Sequence, residues 1–258
     1  MNPLVPIGRF AIAFLQRIGA VAFFASRAVS HCVRPPFYLR HVGLQMMEIG
    51  YYSLPVVGMT ALFTGMVLAL QSYTGFARFS AEGAVATVVV VSITRELGPV
   101  IAGLMVAGRI GASMAAEIGT MRVTEQIDAL HTLSTNPMKY LVAPRIIAGA
   151  AMLPLLVLVA DIIGVFGGYI VGVYKLDFNA GTYLKQTFDY LEVMDVVSGL
   201  VKASVFGFII SLMGCYHGYN SEGGAQGVGR ATTNAVVSAS ILILVFNYGI
   251  TEIFFSGR

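Results

Sequence analysis

Charge is what this sequence has least of. Only 11% of its 258 residues are Asp, Glu, Lys or Arg, whereas an average soluble domain carries roughly 25%. With 57% hydrophobic residues and a mean hydropathy of +0.79, the composition excludes a water-soluble domain and describes an integral membrane protein. Strand signals are also weak. The apolar runs far exceed the ~10 residues of a barrel strand, so the fold class is all-α. Cysteine is nearly absent: Cys32 and Cys215 stand far apart and match no metal-ligand spacing. Cys215 and His217 form a C-x-H pair, but two ligands do not make a metal site. The net charge of +3 is too small for a nucleic-acid binder. No G-x-x-x-x-G-K-[ST] phosphate cradle occurs, so this chain is not expected to hydrolyse ATP alone. Gly223, Gly224, Gly227 and Gly229 follow no strand and read as a flexible turn. No G-x-S-x-G elbow is present, and all four histidines lie outside the middle of any span, so no enzyme is expected.

What the chain does have is long apolar runs and 29 glycines, which suit close helix packing in lipid. Residues 1–48 carry Arg9, Arg17, Arg27, Arg34 and Arg40 against a single acid, Glu48. Arg17 sits inside the apolar stretch from Ile7 to Val29, where a signal peptide keeps its core free of charge. The reading is an amphipathic helix lying in the membrane interface with its arginines toward anionic headgroups, ended by Pro35 and Pro36. Five spans follow, at about 49–77, 83–107, 146–174, 196–219 and 231–250, each long enough for the ~20 residues a bilayer requires. Gly58 and Gly65 in the first span permit close helix contact. Residues 175–195 read as short helices at an interface. Lysines and arginines divide ten to four between the two sides if the N-terminus is inside, so the N-terminus is expected in the cytoplasm and the C-terminus in the periplasm. No linker, second domain or internal repeat stands out, which argues against a transporter built from inverted halves.

Two stretches carry the functional signal. The first is Gly108–Leu130, GRIGASMAAEIGTMRVTEQIDAL. It contains Glu117, Arg122, Glu125 and Asp128 and lies between two apolar runs, so it belongs at a water-facing surface. Val123, Ile127 and Leu130 recur at helical spacing, and Thr124 followed by Glu125 suits a helix start. Two readings stand: a short amphipathic helix lying flat under the membrane with its polar face offered to a partner, or an ordinary solvated loop helix. The second stretch is Arg95-Glu96, about a dozen residues into the second span and so ~17 Å deep. Neighbours on a helix point about 100° apart, so the two cannot pair face to face. Pro99 clashes with the Arg95 carbonyl and removes a donor, and Gly98 loosens the same turn, so the helix should kink there. The site is either a polar cavity or a structural charge pair satisfied by other helices. Asp161 and Lys202 are further intramembrane charges, and three readings stand: a pair between them, a tie from either to Arg95-Glu96, or a Lys202 that snorkels outward. Asn247 reads first as a hydrogen-bonding link between helices.

RELGPV at 95–100, AGRIGASMAAEIGTMRVTEQIDAL at 107–130, NP at 136–137, PR at 144–145 and GVGRATTNAVV at 227–237 resemble the MlaE family. These are permease subunits of MCE-associated ABC transporters in Gram-negative inner membranes. The resemblance implies an interfacial N-terminal helix (residues 1–48), a permease domain (49–258) of five spanning helices, and a homodimer. It implies three partners: an ATPase subunit (MlaF-like) that binds ATP and magnesium, an MCE-domain subunit (MlaD-like) and a STAS-domain subunit (MlaB-like). The implied substrate is glycerophospholipid, moved between inner and outer membranes to keep outer-membrane asymmetry. It further implies a coupling helix at about 117–131 that docks on the ATPase through Glu117, Arg122, Glu125, Gln126, Asp128 and Leu130. Arg95, Glu96 and Leu97 would line the lipid cavity near the dimer axis, with Lys202 and Asn247 beside them and the kink at Gly98 and Pro99. The competing expectation is a secondary transporter or channel conducting past Arg95, Glu96 and Asp161 without an ATPase.

Overall fold

A membrane chain must satisfy its backbone internally, and among the described residues every regular element is helical. The computed structural model describes residues 4–35 and 38–256; Pro36, expected to help end the first helix, and Arg258, counted among the outward charges, lie outside them. Six helical stretches are long and apolar enough to cross a membrane by length and composition.

The first, α1 (Leu4–Val33), ends just before Pro35. It is joined to the rest mainly through its second half. Phe24 packs edge-on to Tyr216 at 5.5 Å, and the His31 ring lies 3.1 Å from the Asn136 amide. Ile12, Phe14, Leu15 and Ile18 find no cover on the protein, so α1 lies at the edge of the bundle with an apolar face for lipid. Residues 1–48 do not form a single helix. A second, α2 (Leu39–Ile49), follows, held by Tyr38 and His41 against the Tyr140 ring.

The first span, α3 (Leu54–Phe76), packs on the third, α8 (Ala143–Tyr174). Gly65 touches the backbone of Gly164 and has no room for a Cβ. Small residues bring these backbones into contact, the general solution for helices that have no hydrophobic drive between them in lipid. Gly207 of α10 (Val193–Tyr219) meets Gly149 of α8 in the same way. α10 is the most enclosed of the six stretches.

The second span differs most from expectation. It comprises α4 (Val85–Ser92), a π-helical turn (Ile93–Leu97), α5 (Gly98–Val106), a second π turn (Ala107–Gly111) and α6 (Ala112–Val123). The continuous run of 42 residues is about 63 Å long, twice the hydrocarbon thickness. Residues 108–123 therefore do not lie flat; they prolong the span. The cause is packing. Gly214 and Gly218 of α10 sit 3.1 and 2.9 Å, measured from where a Cβ would stand, from the carbonyls of Gly111 and Ala115. The small residues of this stretch fit against α10 rather than against the membrane surface. Only α7 (Gln126–Thr132) turns away. Thr124, expected to start a helix, ends α6, with its hydroxyl donating to the Thr120 carbonyl. The bend falls at Glu125, whose φ is +62°.

At the opposite end lies α9 (Ala180–Asp189), its N-terminus capped by the Asn179 side chain accepting from the Thr182 N–H at 3.1 Å. Tyr183 seats α9 against Gly172 of α8, and burial pushes its phenol up to about 12. The last helix, α11 (Gly224–Phe255), starts earlier than expected. The glycine-rich stretch is not a loop. Only residues 220–223 turn, with Gly223 at φ +87°, and Gly227 is pressed against the Glu222 carbonyl with no space for a side chain.

Candidate functional site

Proline at 99 has no N–H to give the Arg95 carbonyl, and the helix answers with a π turn over Ile93–Leu97. The kink expected there takes this form. The freed carbonyl does not go unsatisfied: the Lys202 ammonium of α10 donates to it at 2.9 Å. The same ammonium donates to Glu96 Oε1 at 2.8 Å. Glu96 also accepts from Thr251 Oγ1 at 3.0 Å and, on Oε2, from Asn247 Nδ2 at 2.9 Å. Arg95, pointing elsewhere around the helix, donates through Nε and Nη2 to Asp195 Oδ1 at 3.0 and 2.6 Å. Its guanidinium lies 4.0 Å from the centroid of the Phe255 ring, a cation–π contact.

Two ion pairs thus join the second span to α10, and hydrogen bonds from Asn247 and Thr251 join it to α11. Each ion pair has one enclosed and one partly open member. Lys202 and Asp195 are 0% and 1% exposed, Glu96 and Arg95 34% and 30%. Lys202 does not snorkel, and it pairs with Glu96 rather than with Asp161. The network also lies closer to one end than the sequence implied. Asp195 is only two residues into α10, and Lys202 about 14 Å from its first residue at 1.5 Å per residue. Leu97 is not part of it. Its side chain turns to the opposite crevice, among Val57, Ala61 and Ile101.

Sequence reasoning missed Asp195, Thr251 and Phe255. The signal was there. Asp195 and Lys202 are seven residues apart, two turns of one helix, and carry opposite charges in the order that matches Arg95 and Glu96 on the facing span. Asn247 and Thr251 are likewise one turn apart on α11.

At the α7 end the expected coupling residues divide. Glu125 at the bend and Gln126 and Asp128 on α7 are exposed and Leu130 is half-buried, while Ile127 is fully buried and pins the helix down. Arg122 pairs with Asp128 at 2.8 Å, bracing the bend. Glu117, also exposed, precedes the bend. It lies on α6 and pairs at 2.7 Å with Arg145, which is 4% exposed and also donates to the Leu141 carbonyl.

Long apolar helices, a charge network between spans near one end and a short polar helix at the other define a multi-pass membrane protein of the transport type. Comparison with known sequences supplies the family. The pattern described as "Permease MlaE" matches residues 42–253, and the chain belongs to the MlaE permease family. It is 66% identical over 255 residues to a probable ABC transporter permease protein of Rickettsia felis, covering 99% of this chain and 98% of that one. It is 33% identical over 259 residues to the intermembrane phospholipid transport system permease protein MlaE of Haemophilus influenzae, covering 99% and 98%. It is 35% identical over 246 residues to the chloroplastic protein TRIGALACTOSYLDIACYLGLYCEROL 1 of Arabidopsis thaliana, covering 95% of this chain and 70% of that protein. The chain is therefore a permease component of an ABC transporter, a transport subunit rather than a catalytic one.

Proposed function

We propose that this permease moves glycerophospholipid between the inner and outer membranes of a Gram-negative cell, holding the lipid headgroup at the Glu96–Lys202 network and its acyl chains on apolar helix faces. The observation that carries this is the half-open geometry of that network. Glu96 accepts three hydrogen bonds from α10 and α11 yet keeps 34% of its side chain exposed. A charged group in a spanning region with one side free is a functional site by default. The exposed apolar face of α11, with Ile241, Leu244 and Tyr248, supports a second copy facing this one, so that two networks flank a shared chamber. In this reading residues 49–258 form the permease domain and residues 1–48 a peripheral region at the interface.

The energy source in this reading is a separate ATPase subunit that binds ATP and magnesium and docks on α7 through Glu125, Gln126 and Asp128. Closure of the ATPase pair pushes on α7. The push passes along α6, which is one continuous run with the Arg95-Glu96 turn, and reshapes the chamber. An MCE-domain subunit receives the lipid, and a STAS-domain subunit completes the assembly. The α7 end faces the cytoplasm and the α9 end the periplasm, in keeping with the bias of Lys and Arg toward the α7 side.

The test is lipid transfer by the purified complex in proteoliposomes. Glu96→Gln keeps the shape and loses the charge. It should cut ATP-driven transfer of fluorescent phospholipid at least tenfold while the subunits still copurify. Unchanged transfer would remove Glu96 from the lipid path, and transfer by the permease with no ATP-binding partner present would favour a secondary transporter.

A further inference from the structure

A second cleft opens on the face of the second span turned away from Glu96. It encloses about 530 Å³ between α4, α8, α9 and α10, within the range of small-molecule sites. Its walls are apolar, with Val165 and Phe166 of α8 and Leu184 and Phe188 of α9 among them. Asp161 lines the same cleft. It is 8% exposed; its Oδ1 is enclosed against Gly98 with no hydrogen-bond partner, so a group in the cleft meets the carboxyl at its other oxygen. Glycine at 98 makes room for it, because a Cβ there would collide with the Asp161 carboxyl. The remaining polar groups do not answer this carboxyl. The Thr94 and Thr187 hydroxyls donate to their own helices, to the Val90 carbonyl at 2.8 Å and the Tyr183 carbonyl at 2.9 Å. Tyr169 stands two turns further along α8.

A buried acid that the fold leaves without a donor is costly in an apolar setting. The group that satisfies it must bring N–H donors, preferably with positive charge, on an apolar body that matches the walls. We propose that this cleft is a second ligand site, which takes one acyl-chain amphiphile with a primary ammonium group. The ammonium donates to Asp161, and the chain lies along α8 and α9. The site is distinct from the Glu96 network, since the π turn at Ile93–Leu97 separates them. The proposal rests on the reading of the chain as a lipid-handling permease and adds a headgroup preference to it. An aminophospholipid and a simple long-chain amine share the required chemistry.

Native mass spectrometry of the purified complex, without nucleotide, tests this with three probes: phosphatidylethanolamine, phosphatidylcholine of the same chains, and hexadecylamine. Phosphatidylcholine carries the same headgroup charge but no N–H. Wild type should retain phosphatidylethanolamine over phosphatidylcholine by about tenfold, the worth of one charge-assisted hydrogen bond. Asp161→Asn should abolish the preference. Retention of hexadecylamine alone would assign the site to simple amines rather than to a lipid headgroup, with the same contact to Asp161. Equal retention of the two phospholipids together with no hexadecylamine, or an undiminished preference in Asp161→Asn, would overturn the proposal. If Asp161→Asn fails to assemble, photo-crosslinking of wild type with a diazirine-chain phosphatidylethanolamine decides. Adducts on residues 162–169 or 184–191 support the site, and adducts confined elsewhere overturn it. Because binding is read without ATP, a negative result here leaves the transport reading standing, and failure of the Glu96 transfer test leaves this one untouched.

Discussion

At the scale of single residues, one lysine does two things that the sequence lists separately. Pro99 frees the Arg95 carbonyl, and the Arg95-Glu96 turn carries an acid into the bundle. Lys202, fully enclosed, donates to both. Removing it leaves the carbonyl without its donor and the carboxylate without its counter-charge, held only by Asn247 and Thr251. The general cost of breaking one side of a buried ion pair is about 3–5 kcal/mol. Lys202→Ala should therefore lower the thermal unfolding midpoint of the detergent-solubilised protein by several degrees, and adding Glu96→Gln should recover part of the loss. A double variant no more stable than Lys202→Ala would show that the two side chains do not act as a pair. That an intramembrane charge site existed here was legible from Arg95, Glu96 and Pro99. Of the four side chains that complete it, Lys202 and Asn247 came through the family resemblance, whereas Asp195 and Thr251 were not legible: they come from 100 and 155 residues away, and no local pattern reports such a distance.

At the scale of elements, the most instructive one is the run through α6 into α7. Hydrophobic periodicity located a helix near 123–130, and the structure has one. Periodicity could not reveal that residues 108–123 belong to the preceding span, because this depends on Gly214 and Gly218 of α10 offering a groove for small residues. The consequence is a division of labour. Glu125 and Asp128 are exposed at the bend and on α7, whereas Glu117 is tied to the buried Arg145 of α8. Glu125→Lys combined with Asp128→Lys loses the exposed Arg122–Asp128 pair and should cost no more than about 1 kcal/mol, while abolishing recovery of the ATPase subunit on affinity purification. Arg145→Ala empties a buried position on α8 and should instead lower the unfolding midpoint and impair accumulation of the permease itself. The reverse pattern would place the docking surface on α6 and make α7 a passive turn.

At the scale of the whole molecule, the bundle has two unlike ends. One carries α7, Arg122 and Lys139; the other carries α9 and the Arg95–Asp195 pair. In a protein lacking Cys32 and Cys215, a single cysteine at Gln126 on α7 should be shielded from a membrane-impermeant maleimide added to cells whose outer membrane has been permeabilised. One at Lys185 on α9 should be labelled. Labelling in the opposite sense would invert the molecule and separate α7 from any cytoplasmic motor.

The sequence by itself determined that this is an all-helical membrane protein, roughly where its spans lie, that charge enters the second of them, and which family it resembles. Those properties follow from composition, from local periodicity and from short motifs, all of which are written within a few turns of helix. Only the tertiary structure decided that Lys202, Asn247 and Thr251 converge on Glu96, that Asp195 holds Arg95, that Leu97 faces away, that the glycines at 224–229 are helical, and that Asp161 is left alone in a separate cleft. These depend on how closely the glycine faces of α3, α8 and α10 let the helices approach, and on the rotation each helix takes once packed. Both are set by contacts between segments a hundred residues apart.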